Sequence, residues 1–387
     1  MKICLINNLY APYSKGGAER VLENIASALK KEHKVFVVST KPHSKFSIFN
    51  FQFSINEIDN LINYQIPSLY YNLNKIPVVF RLFWHVWDMF DLVSYYRVYR
   101  IIKKEKPDIV MTHNLKGVSF LIPRLLQCLK IKHIHTLHDI QLIHPSGLMF
   151  YGEEKKVDGL FAKIYQSACR LLFGSPNLVV SPSSWLLQMH TDRGFFKDSE
   201  KKVIQNPISV ILNASEESNL PLLDKERAGV RWVGSFLYVG QIERHKGVEL
   251  LINAFKKLEG DYGLLIVGPG SMLEELKENT KDARIKFLGS KSKEEVRELM
   301  QKADCLVVPS LCYENSPTVI YEAFANNLPV IASDLGGIPE LLDENCLFKP
   351  EEDELLQKLK DFKKSSQKPV KSMSAEEYVE RILKFTR

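Results

Sequence analysis

Short apolar runs alternate with longer stretches of helical period along most of the chain. In the first half, residues 2–7 (KICLIN) form such a run and Gly16-Gly17 punctuates it. Residues 18–31 then carry Val21, Leu22, Ile25 and Leu29 at helical spacing, and residues 35–39 are apolar again. That order predicts a βαβ unit. Further strands are expected at 109–112, 133–137 and 178–181, each preceded by a helical stretch. The second half repeats the rhythm with strands at 236–239, 263–267, 285–288, 305–308, 330–332 and 346–348. Helices are expected to begin near Lys246, Ser271, Lys293, Pro317, Ile338 and Glu351. Short apolar strands alternating with helices imply an α/β protein with two doubly wound parallel sheets. The polar, Pro-marked segment 207–234 (with NASEESNLPLLDKE) is read as the linker between domains 1–205 and 206–369. A final helix at 375–384 follows a Lys/Ser-rich connector.

Composition narrows the class without naming a chemistry. A chain of 387 residues with 45% hydrophobic and 25% charged residues is long enough for two cores and is neither disordered nor fibrous. Its six cysteines (Cys4, Cys128, Cys169, Cys305, Cys312, Cys346) are scattered without CxxC spacing, as expected of thiols in a reducing compartment. The chain opens on a strand without a basic leader, which gives a cytoplasmic expectation. Charge is uneven: residues 1–205 hold 27 Lys and Arg against 16 Asp and Glu, the rest 25 against 30. A basic first half suits an anionic acceptor, an anionic membrane face or nucleic acid. Residues 76–96 (IPVVFRLFWHVWDMFDLVSYY) are broken by Arg81, Asp88 and Asp91, so they make a poor membrane span. An aromatic helix bearing Trp84 and Trp87, followed by Arg97, Arg100, Lys103 and Lys104, is instead suited to a membrane interface or to packing.

Candidate chemistry concentrates at 309–337, PSLCYENSPTVIYEAFANNLPVIASDLGG. Glu314 lies in a polar loop after the strand at 305–308. Glu322 lies about a turn and a half into a helix whose start is read at Asn315-Ser316-Pro317. The unpaired N–H groups of Thr318 and Val319 make an anion site, and the flanking carboxylates suit hydroxyls beside a bound phosphate. A sugar nucleotide has that pattern, a diphosphate between a ribose and a hexose. No Asp-x-Asp pair follows a strand where a metal–diphosphate complex would sit, so no metal is expected.

These residues carry a resemblance. Pro309-Ser310, Glu314, Glu322-Ala323, Pro329-Val330-Ile331-Ala332-Ser333 and Gly336-Gly337 stand in the order of the donor-binding signature of family 4 of the retaining GT-B glycosyltransferases. Agreement continues in Gly16-Gly17-Ala18-Glu19-Arg20, Thr136-Leu137-His138-Asp139, Ser181-Pro182-Ser183, Asn206-Pro207-Ile208, Gly240, Lys246-Gly247 and Phe287-Leu288-Gly289. The resemblance implies a GT-B fold, two Rossmann-like domains facing a central cleft, with residues 370–387 packing back on the first. The donor would be a UDP- or GDP-sugar, and the acceptor a glycan or a lipid-linked carrier of surface polysaccharide, with peripheral membrane contact and no nucleic acid.

Site roles follow from the same likeness. Glu314 would hold sugar hydroxyls and Glu322 the ribose, while Lys246 and the helix start with Ser316, Thr318 and Val319 would meet the diphosphate. Gly16, Gly17, Gly268 and Leu288 would line the donor site, and His138 would reach the donor sugar. Gln241 stands where the family usually has an arginine, which leaves Arg244 and His245 as candidates to compensate. Two other classes fit the residues less well. A nicotinamide oxidoreductase needs GxGxxG after a first strand and an acid ending the second, and neither is present. A non-catalytic basic module for membrane or nucleic acid would not need Glu314, Glu322 and Lys246 together.

Overall fold

The computed structural model describes residues 1–13, 16–42, 53–58, 60–71, 77–207, 232–362 and 373–385. Most of the expected linker 207–234, most of the connector before the last helix, and Lys15 and Ile208 lie outside these residues. The chain forms two compact units. One comprises Met1–Leu148, Lys155–Ser209 and Met373–Arg387, the other Met149–Glu154 and Val210–Ser372.

The first unit runs β1 (Lys2–Ile6), α1 (Gly17–Leu29), β2 (Lys34–Pro42), β3 (Ser54–Ile58), β4 (Leu61–Ser68), α2 (Val78–Met89) and α3 (Leu92–Glu105). It continues with β5 (Ile109–Thr112), α4 (Ile122–Cys128), β6 (Lys132–Thr136), α5 (Leu160–Phe173), β7 (Leu178–Ser181), α6 (Ser184–Thr191) and β8 (Glu200–Val203). Its sheet has the order β3-β4-β2-β1-β5-β6-β7-β8. All pairs are parallel except β3 with β4, a hairpin in which Asn60 takes a positive φ of 60°.

The second unit runs β9 (Gly234–Val239), α7 (Val248–Lys256), β10 (Tyr262–Val267), α8 (Leu273–Asn279), β11 (Ile285–Gly289), α9 (Lys293–Lys302) and β12 (Cys305–Val308). Then come α10 (Thr318–Ala325), β13 (Val330–Ser333), β14 (Leu347–Phe348) and α11 (Glu352–Lys360), giving the parallel order β11-β10-β9-β12-β13-β14. The helix expected at Ile338 is only a 3-10 turn, Ile338–Glu340, with Leu341 as its C-cap. In each sheet the central strands are buried on both faces, so they read as unbroken apolar runs.

The last helix, α12 (Ala375–Lys384), belongs to the first unit. Tyr378 and Ile382 pack in the same core as Val21, Leu22 and Ile25 of α1, and Lys31 pairs with Glu376 at 2.5 Å. Residues 76–96, read as one aromatic helix, hold α2 and the start of α3. Asp91 ends that continuity, because its carboxylate caps α3 by accepting the Val93 and Ser94 N–H groups at 3.0 and 2.9 Å. Trp84 and Arg97 are buried, and Arg97 donates to the Pro67 carbonyl at 3.1 Å. Those two residues are therefore packing elements rather than a membrane surface.

Candidate active site

In the second unit the C-terminal ends of β9, β10 and β12 carry the loops that a doubly wound sheet offers to a ligand. After β9 the chain runs through Gly240 and Gln241 into a 3-10 turn, Arg244–Lys246, and then into α7. Gly247 takes φ +70°, and a Cβ there would lie 1.8 Å from the Pro309 carbonyl oxygen. That near-contact presses the Lys246 turn against the loop after β12. From the other side Gly336, at φ +67°, leaves 2.2 Å between a would-be Cβ and the Glu314 carbonyl oxygen, which also accepts the Gly337 N–H at 2.8 Å. Two glycines thus let three backbone segments converge where any side chain would hold them apart.

The convergence brings Lys246 and Glu314 together, 68 residues apart in sequence. The Lys246 ammonium donates to Glu314 Oε1 at 2.6 Å, and the Ser310 hydroxyl reaches the same oxygen at 3.1 Å. Burial opposes charge on both groups, but each is outweighed by its partner. The Glu314 carboxyl is held below its ordinary range and the Lys246 ammonium above its own. Both groups are therefore charged at neutral pH. His245 is pushed down by burial and then by the adjacent Lys246, so it does not add a second cation there.

α10 starts one residue later than the sequence suggests. Its N-cap is Pro317, not Asn315 or Ser316, and the Ser316 hydroxyl is buried against the Tyr321 phenol at 2.9 Å. Thr318 and Val319, the first two helical residues, have no acceptor within the helix for their N–H groups, whereas Ile320 N–H already bonds to the Pro317 carbonyl at 3.2 Å. Glu322 follows in the second turn, partly exposed. Gly268 directly follows β10, its N–H donating to the Gly289 carbonyl at 2.9 Å, and Leu288 lies in β11. Arg244 lies in the turn beside Lys246 and is exposed, as is Gln241, which accepts the Tyr238 phenol at its carbonyl at 2.6 Å.

A strap invisible in the sequence completes this loop cluster. Residues Met149–Glu154 belong to the second unit although their flanks belong to the first. Tyr313 N–H donates to the Met149 carbonyl and Tyr151 N–H to the Leu311 carbonyl, both at 2.9 Å, and the Tyr313 phenol donates to Glu154 at 2.8 Å. The segment just before Glu314 is thereby held on both sides.

In the first unit Gly17 opens α1 and Gly16 precedes it, its N–H donating to the Glu19 carboxylate at 2.6 Å. His138 follows β6, and its Nε2 lies 2.8 Å from Nδ1 of His113, a residue the sequence reading passed over. The two rings stack with centroids 5.1 Å apart. His113 sits one residue past β5, so its place at a strand's C-terminal end was the available signal. Burial pushes His138 down to about 4, and burial together with His138 pushes His113 down as well, so both are neutral imidazoles. His113 Nε2 is buried without a hydrogen-bond partner. A buried N–H costs more to orphan than a ring nitrogen, which favours His113 donating from Nδ1 and leaves the His138 proton on its Nδ1. Asp139 is raised to about 6 by burial, against the pull of the Gln141 N–H and of Lys116. Among the described residues no group of three or more His, Cys, Asp or Glu is arranged to hold a metal ion.

Two doubly wound parallel-sheet units, together with the matches that follow, make this a GT-B protein, a nucleotide-sugar-dependent glycosyltransferase. Residues 15–210 match the family described as Glycosyltransferase Family 4, and residues 234–379 match Glycosyl transferases group 1. The chain belongs to Glycosyltransferase Family 4. It is 28% identical to an uncharacterised 42.6 kDa protein in the cps region of Klebsiella pneumoniae, over 88% of this chain and 87% of that one. A second relative at 28% identity, covering 79% of this chain and 73% of its own, is the Escherichia coli UDP-Gal:alpha-D-GlcNAc-diphosphoundecaprenol alpha-1,3-galactosyltransferase. Among solved structures the Anabaena protein Alr3699/HepE in complex with UDP shares the fold, with a TM-score of 0.68 at 18% identity over 99% of this chain and 94% of that one.

Proposed function

We propose that the chain transfers a sugar, with retention of anomeric configuration, from a nucleotide-diphosphate sugar to a lipid-linked acceptor during surface-polysaccharide assembly at a membrane face. The reading is carried by the Lys246–Glu314 pair, set beside the start of α10 at the edge of the second sheet. The diphosphate takes the Thr318 and Val319 N–H groups and draws Lys246 from Glu314. Freed of its partner, Glu314 accepts hydroxyls of the donor sugar, and Glu322 accepts those of the ribose. As the sugar–phosphate bond breaks, both bonding electrons stay on the diphosphate, where Lys246 and the helix start stabilise them without a metal ion. The acceptor oxygen bonds to the anomeric carbon from the face the diphosphate leaves, and its proton passes to a departing phosphate oxygen.

The E. coli relative, whose name gives a UDP-sugar donor and a diphosphoundecaprenol-linked acceptor, supports this donor and acceptor class, and the Klebsiella relative's cps location supports the pathway. A thermal-shift panel of UDP, GDP, ADP and their sugars tests the donor, because only a bound nucleotide raises the melting temperature. Stabilisation by UDP and a UDP-sugar is the expected result, and no response to any nucleotide would overturn the reading. Activity in excess EDTA is expected to persist. Loss restored by magnesium or manganese would contradict the metal-free step.

A further inference from the structure

Helix α5 presents an apolar face that the fold does not cover. Leu160, Phe161, Ile164 and Leu171 are 72%, 81%, 60% and 67% exposed, while Ala162, Cys169 and Phe173 on the opposite side are buried. At about 100° per residue, Leu160, Ile164 and Leu171 fall within roughly 40° of one another, with Phe161 flanking them. Exposed apolar residues are ordinary when scattered; four large ones on one helix face are not.

Charge around this face has a single sign. α5 carries Lys163 and Arg170 and no acid, and Lys163 stands on the border of the apolar stripe. The neighbouring α4 carries Arg124 alone, whose guanidinium donates to the Leu171 carbonyl at 2.9 Å and so sits at the far end of the stripe. Asp158, the nearest acid upstream, is neutralised by Arg193 at 2.8 Å. Pairing with a second copy about a two-fold axis would bring like charges together around the apolar contact. An anionic bilayer surface satisfies both features, because acyl chains take the apolar side chains while headgroups take the cations.

We infer that α5 is a membrane-docking helix that seats the first unit on anionic lipid, with Phe161, Ile164 and Leu171 entering the interface and Lys163 and Arg124 at headgroup level. The inference rests on the lipid-linked acceptor reading for its purpose. It moves the contact away from Trp84 and Arg97, which are buried, and leaves the exposed Trp87 of α2 as the rival contact that the test below separates. Among the described residues no helix is long and apolar enough to cross a membrane, so docking here is peripheral.

The test is flotation of the full chain with phosphatidylglycerol-containing vesicles and with phosphatidylcholine vesicles, at low and high salt. The expected result is binding to the anionic vesicles that falls with salt, and at least a tenfold loss in F161S/I164S. Lys163→Gln should weaken binding and flatten its salt dependence. Trp87→Ser on α2, exposed but outside α5, should bind like the unaltered chain. Equal binding by F161S/I164S, or loss caused by Trp87→Ser alone, would overturn the assignment. So would concentration-dependent dimers that F161S/I164S dissolves without any vesicle binding. Nucleotide thermal shift on the same variants separates the two readings. Vesicle binding with no nucleotide response leaves docking intact and removes the donor assignment, and the reverse removes docking alone. A normal shift also shows that the variants fold.

Discussion

The two sheets present the same structural edge, yet they treat charge in opposite ways. At the second, burial is matched by a partner, and the Lys246–Glu314 pair remains ionised. At the first, burial is only partly matched: His113 and His138 are neutral, Asp139 is raised to about 6 and Asp88 to about 8. A buried charge persists where an opposite charge hydrogen-bonds it directly, as Lys246 does Glu314, and titrates towards neutrality where the pull of a cation such as Lys116 is smaller than the cost of burial. The second edge is thus suited to a diphosphate, the first to neutral hydroxyls.

Breaking the ionised edge should have the largest effect. Lys246→Ala removes the cation at the leaving diphosphate and should lower kcat by about 100- to 1000-fold, the range for loss of one preorganised charge-stabilising group. Turnover within tenfold of the unaltered chain would show that Lys246 is not the cation that matters. Geometry comes next: Gly247→Ala places a Cβ against the Pro309 carbonyl and should destabilise the second unit by about 1–3 kcal/mol. Urea unfolding followed by hydrogen exchange in β9 and β12 measures this. Unchanged protection would mean the loops adjust freely.

Glu322→Ala should weaken binding of the stabilising nucleotide by about 1.5–3 kcal/mol, the loss of a charge-assisted hydrogen bond to the ribose. Calorimetry with the ribo- and 2′-deoxynucleotides checks it, because the variant should no longer distinguish the two.

The smallest test sharpens the first edge through pH. Asp88, buried, accepts the Gly117 N–H at 2.7 Å, and burial lifts its folded pKa above the unfolded carboxyl value. A raised acid favours the folded state when protonated. Its contribution is complete below about pH 4 and is lost as pH rises towards about 8. Asp88→Asn keeps an acceptor for Gly117 and cannot ionise, so it should gain stability over the unaltered chain between pH 5 and 8, by a margin that grows with pH. Denaturation midpoints at those two pH values with a constant difference would reject the ionisation.

Much of this was legible where apolar pattern and burial coincide. Strands 109–112, 178–181 and 305–308 and the helix at 375–384 stand where the sequence places them. The β3–β4 hairpin and β8 were missed for physical reasons. β4 buries Asn63, Gln65 and Ser68, and polar residues inside a strand erase the hydrophobic signal. β3 and β8 are sheet edges, where Glu57, Glu200 and Lys201 meet solvent. At the site, Glu314, Glu322 and Lys246 could each be singled out locally. Their pairing could not, because it depends on two glycines and a strap from residues 149–154. The His113–His138 contact depends on neighbouring strands β5 and β6, which the periodicity of either strand does not reveal.

The central claim is that Lys246 leaves Glu314 for the diphosphate while Glu314 turns to the sugar. Glu314→Gln separates the two roles, because it frees Lys246 and removes a negative charge from beside the diphosphate without removing the cation. Calorimetric titration of this variant with UDP or GDP, whichever stabilises the unaltered chain, should give nucleoside-diphosphate affinity that is retained or increased, while the transfer rate falls at least tenfold. Affinity for the nucleoside diphosphate that falls together with the rate would contradict the division of labour.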